Sequence, residues 1–376
     1  MTRASAVAIS RAMDARGRCL EGKCARDDAS RRRALFPRAR RVFSRRGSDA
    51  RAEKAWKDTR EDGIDGPFST ASKNAAYAAS MSRDARRAAR ARLDGATTYG
   101  AVVSYDGGAY SGFQRQGENV PTIQAELERC LMRLCGCDRE ALRVGGSGRT
   151  DAGVHATRQY VHFYSPKDLG EDMARCRRAM NGMLPSDVRV VEFFRPHAMF
   201  HSRYHATRKT YRYALDARET PSVFTRRYAH ACGWRSFDVR AVREACAYFV
   251  GTHDFRSFAN TSREKPMYDT EDEEAYANTT RTIHRCDVEE SPDGLIVIEF
   301  EGDGFLYRQV RNMVGALLVV ASGKEKPEWI ATLLAARDRR LAPTAASARG
   351  LFLVSVEYPP EMLAHDEHWD QFDDDP

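Results

Sequence analysis

The residues best placed to do chemistry lie in one run: Gly145-Gly146-Ser147-Gly148-Arg149-Thr150-Asp151-Ala152-Gly153-Val154-His155. Four glycines, an arginine, an aspartate and a histidine share eleven residues. Glycine permits tight turns and close approach of a second backbone or a ligand. The run therefore reads as a tight loop from which Asp151 projects. Strand-like residues precede it at Leu142–Val144 and follow it at Gln159–Tyr164. A charged side chain on a loop between buried strands stands where scaffolds place reacting groups. An Asp beside a Gly is by itself usually a turn residue; Arg149 and His155 set this one apart.

The continuous stretch Gly148 to His155 resembles the loop of the TruA family of tRNA pseudouridine synthases (pseudouridine synthase I). Other segments are similar to family segments in the same order. They are Ser104-Tyr105-Asp106-Gly107 with Gly112-Phe113-Gln114-Arg115-Gln116, then Phe200-His201-Ser202-Arg203-Tyr204 and Thr210-Tyr211-Arg212-Tyr213. Val310-Arg311-Asn312-Met313-Val314-Gly315 and Gly350-Leu351-Phe352-Leu353 complete the set. The similarity spans about residues 99 to 358. Ala152, in place of a lysine, resembles the bacterial-type branch rather than the eukaryotic nuclear ones.

The resemblance implies an isomerase that detaches uracil from its N-glycosidic bond, rotates it and rejoins it through carbon. The reaction needs no redox change and no phosphate transfer, so no cofactor and no metal is expected. It needs a nucleophile that splits a hard step in two through a covalent intermediate. By resemblance that nucleophile is Asp151, and Arg311 is the cation that keeps it ionised. Tyr211 is implied to stack on the uracil, and its hydroxyl to serve as general base for the C5 proton. Leu351 would form the apolar floor of the pocket. A uridine within a stem must be flipped out at a cost of a few kcal/mol. Arg149 is the residue implied to drive that flip, the simpler alternative being a phosphate contact.

His155 is expected to orient the loop or touch RNA rather than exchange protons. Phe200, His201, Ser202, Arg203, Tyr204 and Arg115 are expected to contact RNA, the stretch from Arg195 to Arg212 being basic and interleaved with aromatics. The partner implied is the anticodon arm of tRNA, at the family's nucleotides 38, 39 and 40, and a homodimer is expected.

The elements that must position these groups are legible as periodicities. Thr98–Tyr105, Leu142–Val144, Gln159–Tyr164 and Val188–Phe194 read as strands. A helix capped by Thr122 carries Ile123, Leu127, Leu131 and Leu134, and a second carries Met173, Cys176, Met180 and Leu184. The order is β-α-β-β-α-β, the ferredoxin-like plan.

The second half repeats it. Lys209–Leu215 reads as a strand, and Val239, Val242, Cys246 and Phe249 line a helix. A hairpin through Thr282–Glu289 and Leu295–Phe300 follows. Next comes an apolar helical face of Leu306, Val310, Met313, Leu317 and Val320, extended through Trp329 and Leu333. The last strand is Leu351–Val356. The expected fold class is α+β: two ferredoxin-like βαββαβ lobes with adjoining mixed or antiparallel sheets and a catalytic cleft between them. The expected lobes are 98–205 and 206–360, the second interrupted by an exposed acidic insertion at about 259–280. A disordered acidic tail is expected over 361–376.

Charge is unevenly spread along the 376 residues. Residues 1–100 hold 24 Lys and Arg against 12 Asp and Glu, and the remainder holds 36 against 41. Two acidic patches, Glu264–Glu274 and His365–Pro376, account for the deficit; without them the body is mildly basic, as a phosphate-binding surface requires. Residues 1–50 are rich in Arg, Ala and Ser without apolar periodicity, which suits an organellar transit peptide; residues 51–97 read as linker. The expected location is chloroplast or mitochondrion, with cytoplasm or nucleus as the alternative. Nine scattered cysteines form neither a zinc pattern nor a disulfide framework. No apolar run approaches the ~20 residues that span a bilayer.

Two other functions fit parts of the sequence. A non-catalytic RNA-binding protein with ferredoxin-like lobes would stack bases on sheet aromatics, but the aromatic signature of such modules is missing. An Asp-dependent hydrolase needs a second carboxylate or a metal cluster, and Asp106 is the only loop acid on offer.

Overall fold

The computed structural model describes residues 95–233, 237–260, 278–292 and 294–364. The transit-peptide reading, the linker reading up to residue 94, most of the acidic insertion and the tail from 365 lie outside the described residues. Everything described belongs to one compact unit.

The strands are β1 (Thr97–Tyr105), β2 (Gly145–Gly146), β3 (His155–Ser165), β4 (Val188–Phe194), β5 (Arg208–Asp216), β6 (His230–Ala231), β7 (Gly251–Asp254), β8 (Thr280–Glu290), β9 (Leu295–Gly302) and β10 (Leu351–Glu357). They form a single ten-stranded sheet in the order β4-β1-β3-β10-β5-β9-β8-β7, with β2 paired to β3 and β6 to β5. The residues before β5 supply β4-β1-β3 and the short β2, and the residues from β5 onward supply the rest. The expected adjoining of two sheets is thus a continuous sheet.

The join is made by the last strand. β10 runs parallel to β3, with Phe352 opposite His155 and Leu353 opposite Ala156. It runs antiparallel to β5, with Leu351 opposite Tyr213 and Leu353 opposite Tyr211. Because β3 and β10 are parallel neighbours, the loops that enter them lie at the same end of the sheet. One of those loops carries Asp151.

The helices are α1 (Ile123–Cys135), α2 (Arg139–Leu142), α3 (Met173–Met183), α4 (Val239–Ala247), α5 (Gln309–Ala321), α6 (Trp329–Ala336) and α7 (Pro360–Leu363). Helix α1 starts where the Thr122 hydroxyl accepts the Ala125 N–H at 3.3 Å, and it ends at left-handed Gly136, as capping preferences require. Its apolar stripe of Ile123, Leu127 and Leu131 is buried. Helix α5 is buried almost all round, through Val310, Met313, Val314, Leu317 and Val320. A helix of that kind lies inside the core rather than over it.

Along β9, Ile296, Ile298 and Phe300 face the core, and Glu299 and Glu301 face the other way. Glu299 pairs with Arg212 at 3.0 Å and Arg285 at 2.6 Å, and Glu301 pairs with Arg208 at 3.0 Å. Cross-strand ion pairs of this kind fix register more than they add stability.

The structure corrects several expectations. Leu142 closes the one-turn helix α2, and pairing with β3 is confined to Gly145 and Gly146, opposite His162 and Val161. Asp138 caps that turn by accepting the Ala141 N–H, a local bond the apolar run alone did not reveal. Leu306 precedes α5 rather than lying on it. Strands β6 and β7 were not expected; both are short, with two and four residues. The body also continues past 360, since Met362 and Leu363 of α7 pack against the core.

Candidate active site

The loop from Ser147 to Val154 is held on several sides. The Ser147 N–H donates to the Tyr160 carbonyl at 2.8 Å. Gln159 on β3 is fully buried. Its side-chain amide donates to the Gly148 carbonyl at 2.8 Å, and its oxygen accepts the Ser147 hydroxyl. The Lys209 ammonium, from β5, donates to the Ser147 carbonyl at 2.6 Å. Phe113 donates its N–H to the Thr150 carbonyl at 3.0 Å, and the Thr150 hydroxyl meets the Tyr105 hydroxyl at 2.9 Å. Gly112 allows the Phe113 contact: its φ is +107°, and a β-carbon there would sit 2.7 Å from the Thr150 oxygen.

Asp151 closes this loop with a turn, its carbonyl accepting the Val154 N–H at 3.1 Å. Its carboxylate accepts from Arg311 Nη1 at 2.7 Å, both side chains being about 15% exposed or slightly less. Arg311 stands on α5. Its Nε donates to the Ala346 carbonyl at 2.8 Å, and the Ala346 N–H donates back to the Arg311 carbonyl at 2.9 Å. One guanidinium thus ties the β10 entry loop and the β3 entry loop together. Gly315, one turn further along α5, touches the Thr344 backbone where a β-carbon would collide. That lets the helix lie close enough for Arg311 to reach.

A second cation stands by the same oxygen. Arg308 Nε is 3.8 Å from Asp151 Oδ2, and the Arg308 guanidinium also lies 5.1 Å over the Tyr307 ring. Arg308 has φ +61°, a left-handed backbone that is costly for a residue with a β-carbon. The sequence reading missed Arg308. It stands at the N-cap, just outside the helix that carries Arg311, so no helical periodicity marked it.

Tyr211 projects from β5 toward the same loop. Its hydroxyl is 3.8 Å from the point where a β-carbon on Gly148 would be, and its ring meets Phe305 edge-on at 5.1 Å. Burial, then the neighbouring Tyr105 and Asp151, push its phenol well above the ordinary tyrosine value. The phenol is therefore protonated at neutral pH. Stacking and hydrogen bonding stay open to Tyr211. Leu351 is buried beside Tyr213 and diagonal to Tyr211. Arg149 is exposed and makes no side-chain hydrogen bond or ion pair with the described residues.

His155 is buried against Phe352, ring centroids 4.7 Å apart. Its Nδ1 lies 3.1 Å from Asp106 Oδ1 and 3.1 Å from the Gly107 nitrogen. Asp106 also accepts from Gly108 N–H, Arg227 at 2.8 Å and the Tyr228 hydroxyl at 2.9 Å. Its hydrogen bond to His155, helped by the bonds from Gly108 and Tyr228, holds its carboxyl well below the carboxylate range. A carboxylate so fully engaged has no lone pair to offer a substrate, which removes the second acid the hydrolase reading requires.

The expected RNA-contact residues divide. Phe200 is 1% exposed and packs edge-on against Phe194 and Tyr358. Ser202 is fully buried, donating its hydroxyl to the Gly145 carbonyl at 3.0 Å and meeting His162 Nδ1 at 2.8 Å. Ser202 braces the base of the loop at Gly145 and Phe200 lies in the core, so neither side chain is open to a polynucleotide; the aromatic-basic pattern did not distinguish core from surface. Arg203 is exposed, and His201 and Tyr204 are half-exposed. Arg115 is half-exposed and pairs with Glu128 at 3.3 Å.

Residues 245–359 match the family profile described as tRNA pseudouridine synthase. The chain is 41% identical over 263 residues to tRNA pseudouridine synthase A 1 of Protochlamydia amoebophila, covering 69% of this chain and 96% of that protein. It is 40% identical over 270 residues to tRNA pseudouridine synthase A of Geobacillus kaustophilus, covering 70% and 95%. Among solved structures, a Cbf5-Nop10-Gar1 complex overlaps it with a TM-score of 0.28 at 9% identity, over 70% of this chain and 52% of that one. That structural likeness is too low to bear on the fold. The likeness to the two bacterial proteins runs through nearly their whole length and includes the loop that carries Asp151. The chain belongs to the tRNA pseudouridine synthase family of isomerases.

Proposed function

We propose that this protein converts uridine to pseudouridine in the anticodon stem-loop of tRNA, at the three family nucleotides, with Asp151 as the nucleophile. The observation that carries the reading is the 2.7 Å ion pair between Asp151 and Arg311, on a loop that faces Tyr211 and is pinned at the Ser147, Gly148 and Thr150 carbonyls. An arginine at that distance orients the carboxylate through a charge-assisted hydrogen bond, and a largely buried anion is a stronger nucleophile than a hydrated one. Tyr211 stacks on the flipped uracil and Leu351 floors the pocket. Arg149, exposed and free of partners among the described residues, takes the place of the flipped base. The groove is shared by the two halves of the sheet, 98–205 and 206–360. The protein acts as a homodimer, and its basic N-terminal segment directs it to an organelle.

The test is release of tritium from tRNA labelled at uridine C5, since the C5 hydrogen leaves as the new carbon–carbon bond forms. Release by the wild-type protein and none by Asp151→Ala, with tRNA binding kept, supports the reading. Binding without release by the wild type would leave the non-catalytic RNA-binding alternative. Pseudouridine mapping of organellar and cytosolic tRNAs after loss of the protein identifies the compartment and nucleotides.

A further inference from the structure

Lys209 has no part in the chemistry above, yet its ammonium is aimed at the catalytic loop. It sits on β5 two residues before Tyr211, so both side chains leave the same face of the strand. Its Nζ donates to the Ser147 carbonyl at 2.6 Å and lies 3.7 Å from the β-carbon position of Gly148. From the opposite side, Gln159 donates to the Gly148 carbonyl at 2.8 Å. Two successive carbonyls immediately before Arg149 are therefore held by side chains from two strands that β10 separates in the sheet. The donor on one side is a neutral amide, fixed in strength. On the other side it is an ammonium, whose bond is roughly twice as strong while it carries its charge.

We propose that Lys209 is a positioning residue for the Arg149–Asp151 loop, its charged ammonium fixing the Ser147 carbonyl so that the guanidinium of Arg149 and the carboxylate of Asp151 are presented together. This rests on the reading of Asp151 as nucleophile. The groups facing Lys209 are Arg203 before β5, Arg281 on β8, Asp303 after β9 and the Tyr211 hydroxyl. Burial, then Arg203 and Arg281, bring the lysine down to about 8, and Asp303 opposes them only weakly. Its proton is lost near the upper edge of the physiological range, and with it the charge-assisted bond. Two effects of opposite sign follow. Activity falls as pH rises through about 8. Stability rises over the same interval and up to the unfolded value of 10.5, because the unfolded chain still holds a proton that the native lysine has shed.

The experiment compares wild type, Lys209→Met and Lys209→Arg in tritium release from labelled tRNA, with denaturant unfolding, at pH 7 to 10. Lys209→Met is expected to lower kcat by about tenfold or more with KM changed less than about twofold, the signature of lost positioning rather than lost binding. Its activity should lack the wild type's alkaline decline, and its stability should lose ground against the wild type as pH rises. Lys209→Arg should retain most of kcat and carry the decline to higher pH, since guanidinium keeps its proton. A raised KM with unchanged kcat would mark Lys209 as a phosphate contact and overturn the proposal. An alkaline decline unmoved in Lys209→Arg would overturn it even where Lys209→Met fails to fold. Wild-type protein that releases no tritium sinks the functional reading itself; active wild type with indifferent Lys209 variants sinks only this proposal.

Discussion

Arg311 and Asp151 lie 160 residues apart in the chain and 2.7 Å apart in space. The contact is made because β10 enters the sheet between β3 and β5 and carries its entry loop, with Ala346, to the foot of β3. Arg311 binds Ala346 on one side and Asp151 on the other. Replacing it by lysine keeps a charge but removes the second, geometrically fixed donor. Arg311→Lys is expected to lower kcat about 10- to 100-fold, and Arg311→Met further, with tRNA affinity within about threefold of wild type. Single-turnover tritium release with a filter-binding control measures both; a loss confined to binding would contradict the assignment.

Arg149 is poised for a different contribution. If it fills the gap left by a flipped base, Arg149→Ala should slow reaction on a uridine within a stem by at least about tenfold more than on an unpaired uridine, since unstacking costs a few kcal/mol only in the stem. Two oligonucleotides, hairpin and linear, make the comparison. Equal losses on both would make Arg149 a simple phosphate contact.

Asp106 is a structural carboxylate, joined to His155, Gly108, Arg227 and Tyr228. Asp106→Asn is expected to destabilise the protein by about 2–3 kcal/mol at neutral pH, the scale of a lost charged hydrogen bond. The carboxyl's native value lies below its ordinary 3.8. Its contribution is complete above that value and is lost as pH falls through the native one. The stability gap between wild type and variant should therefore narrow in acid, as chemical denaturation at pH 7 and pH 3 would reveal.

Phe200 and Arg203 separate packing from binding within one short segment. Phe200→Ala should cost about 3–5 kcal/mol of stability, as for other large core aromatics, without a selective rise in KM. Arg203→Ala should leave thermal unfolding nearly unchanged, weaken tRNA binding and reduce its salt slope by about one. A Phe200→Ala protein of full stability with weakened binding would reverse the assignment made from burial.

Removal of residues 1–97 should leave tritium release within about twofold of the full chain, because all groups placed at the site lie C-terminal to it. A truncation that is folded by circular dichroism yet inactive would show that the basic segment takes part in tRNA handling.

The sequence by itself determined most of the elements and singled out the candidate reacting groups. Periodicities of two and 3.6 follow from local backbone geometry, so β1, β3, β5, α1 and α5 could be read from residue order. The Gly148–His155 run marked Asp151 because its spacing is contiguous. The tertiary structure decided which side chains converge and which are buried. Arg308 reaches Asp151 only because its own backbone is left-handed. Lys209 meets Ser147 only because sheet order places β5 one strand away from β3, across β10. Phe200 and Ser202 turn inward although their neighbour Arg203 does not. Distances between residues far apart in the chain are set by sheet order and helix packing, and those depend on contacts that no local stretch of sequence contains.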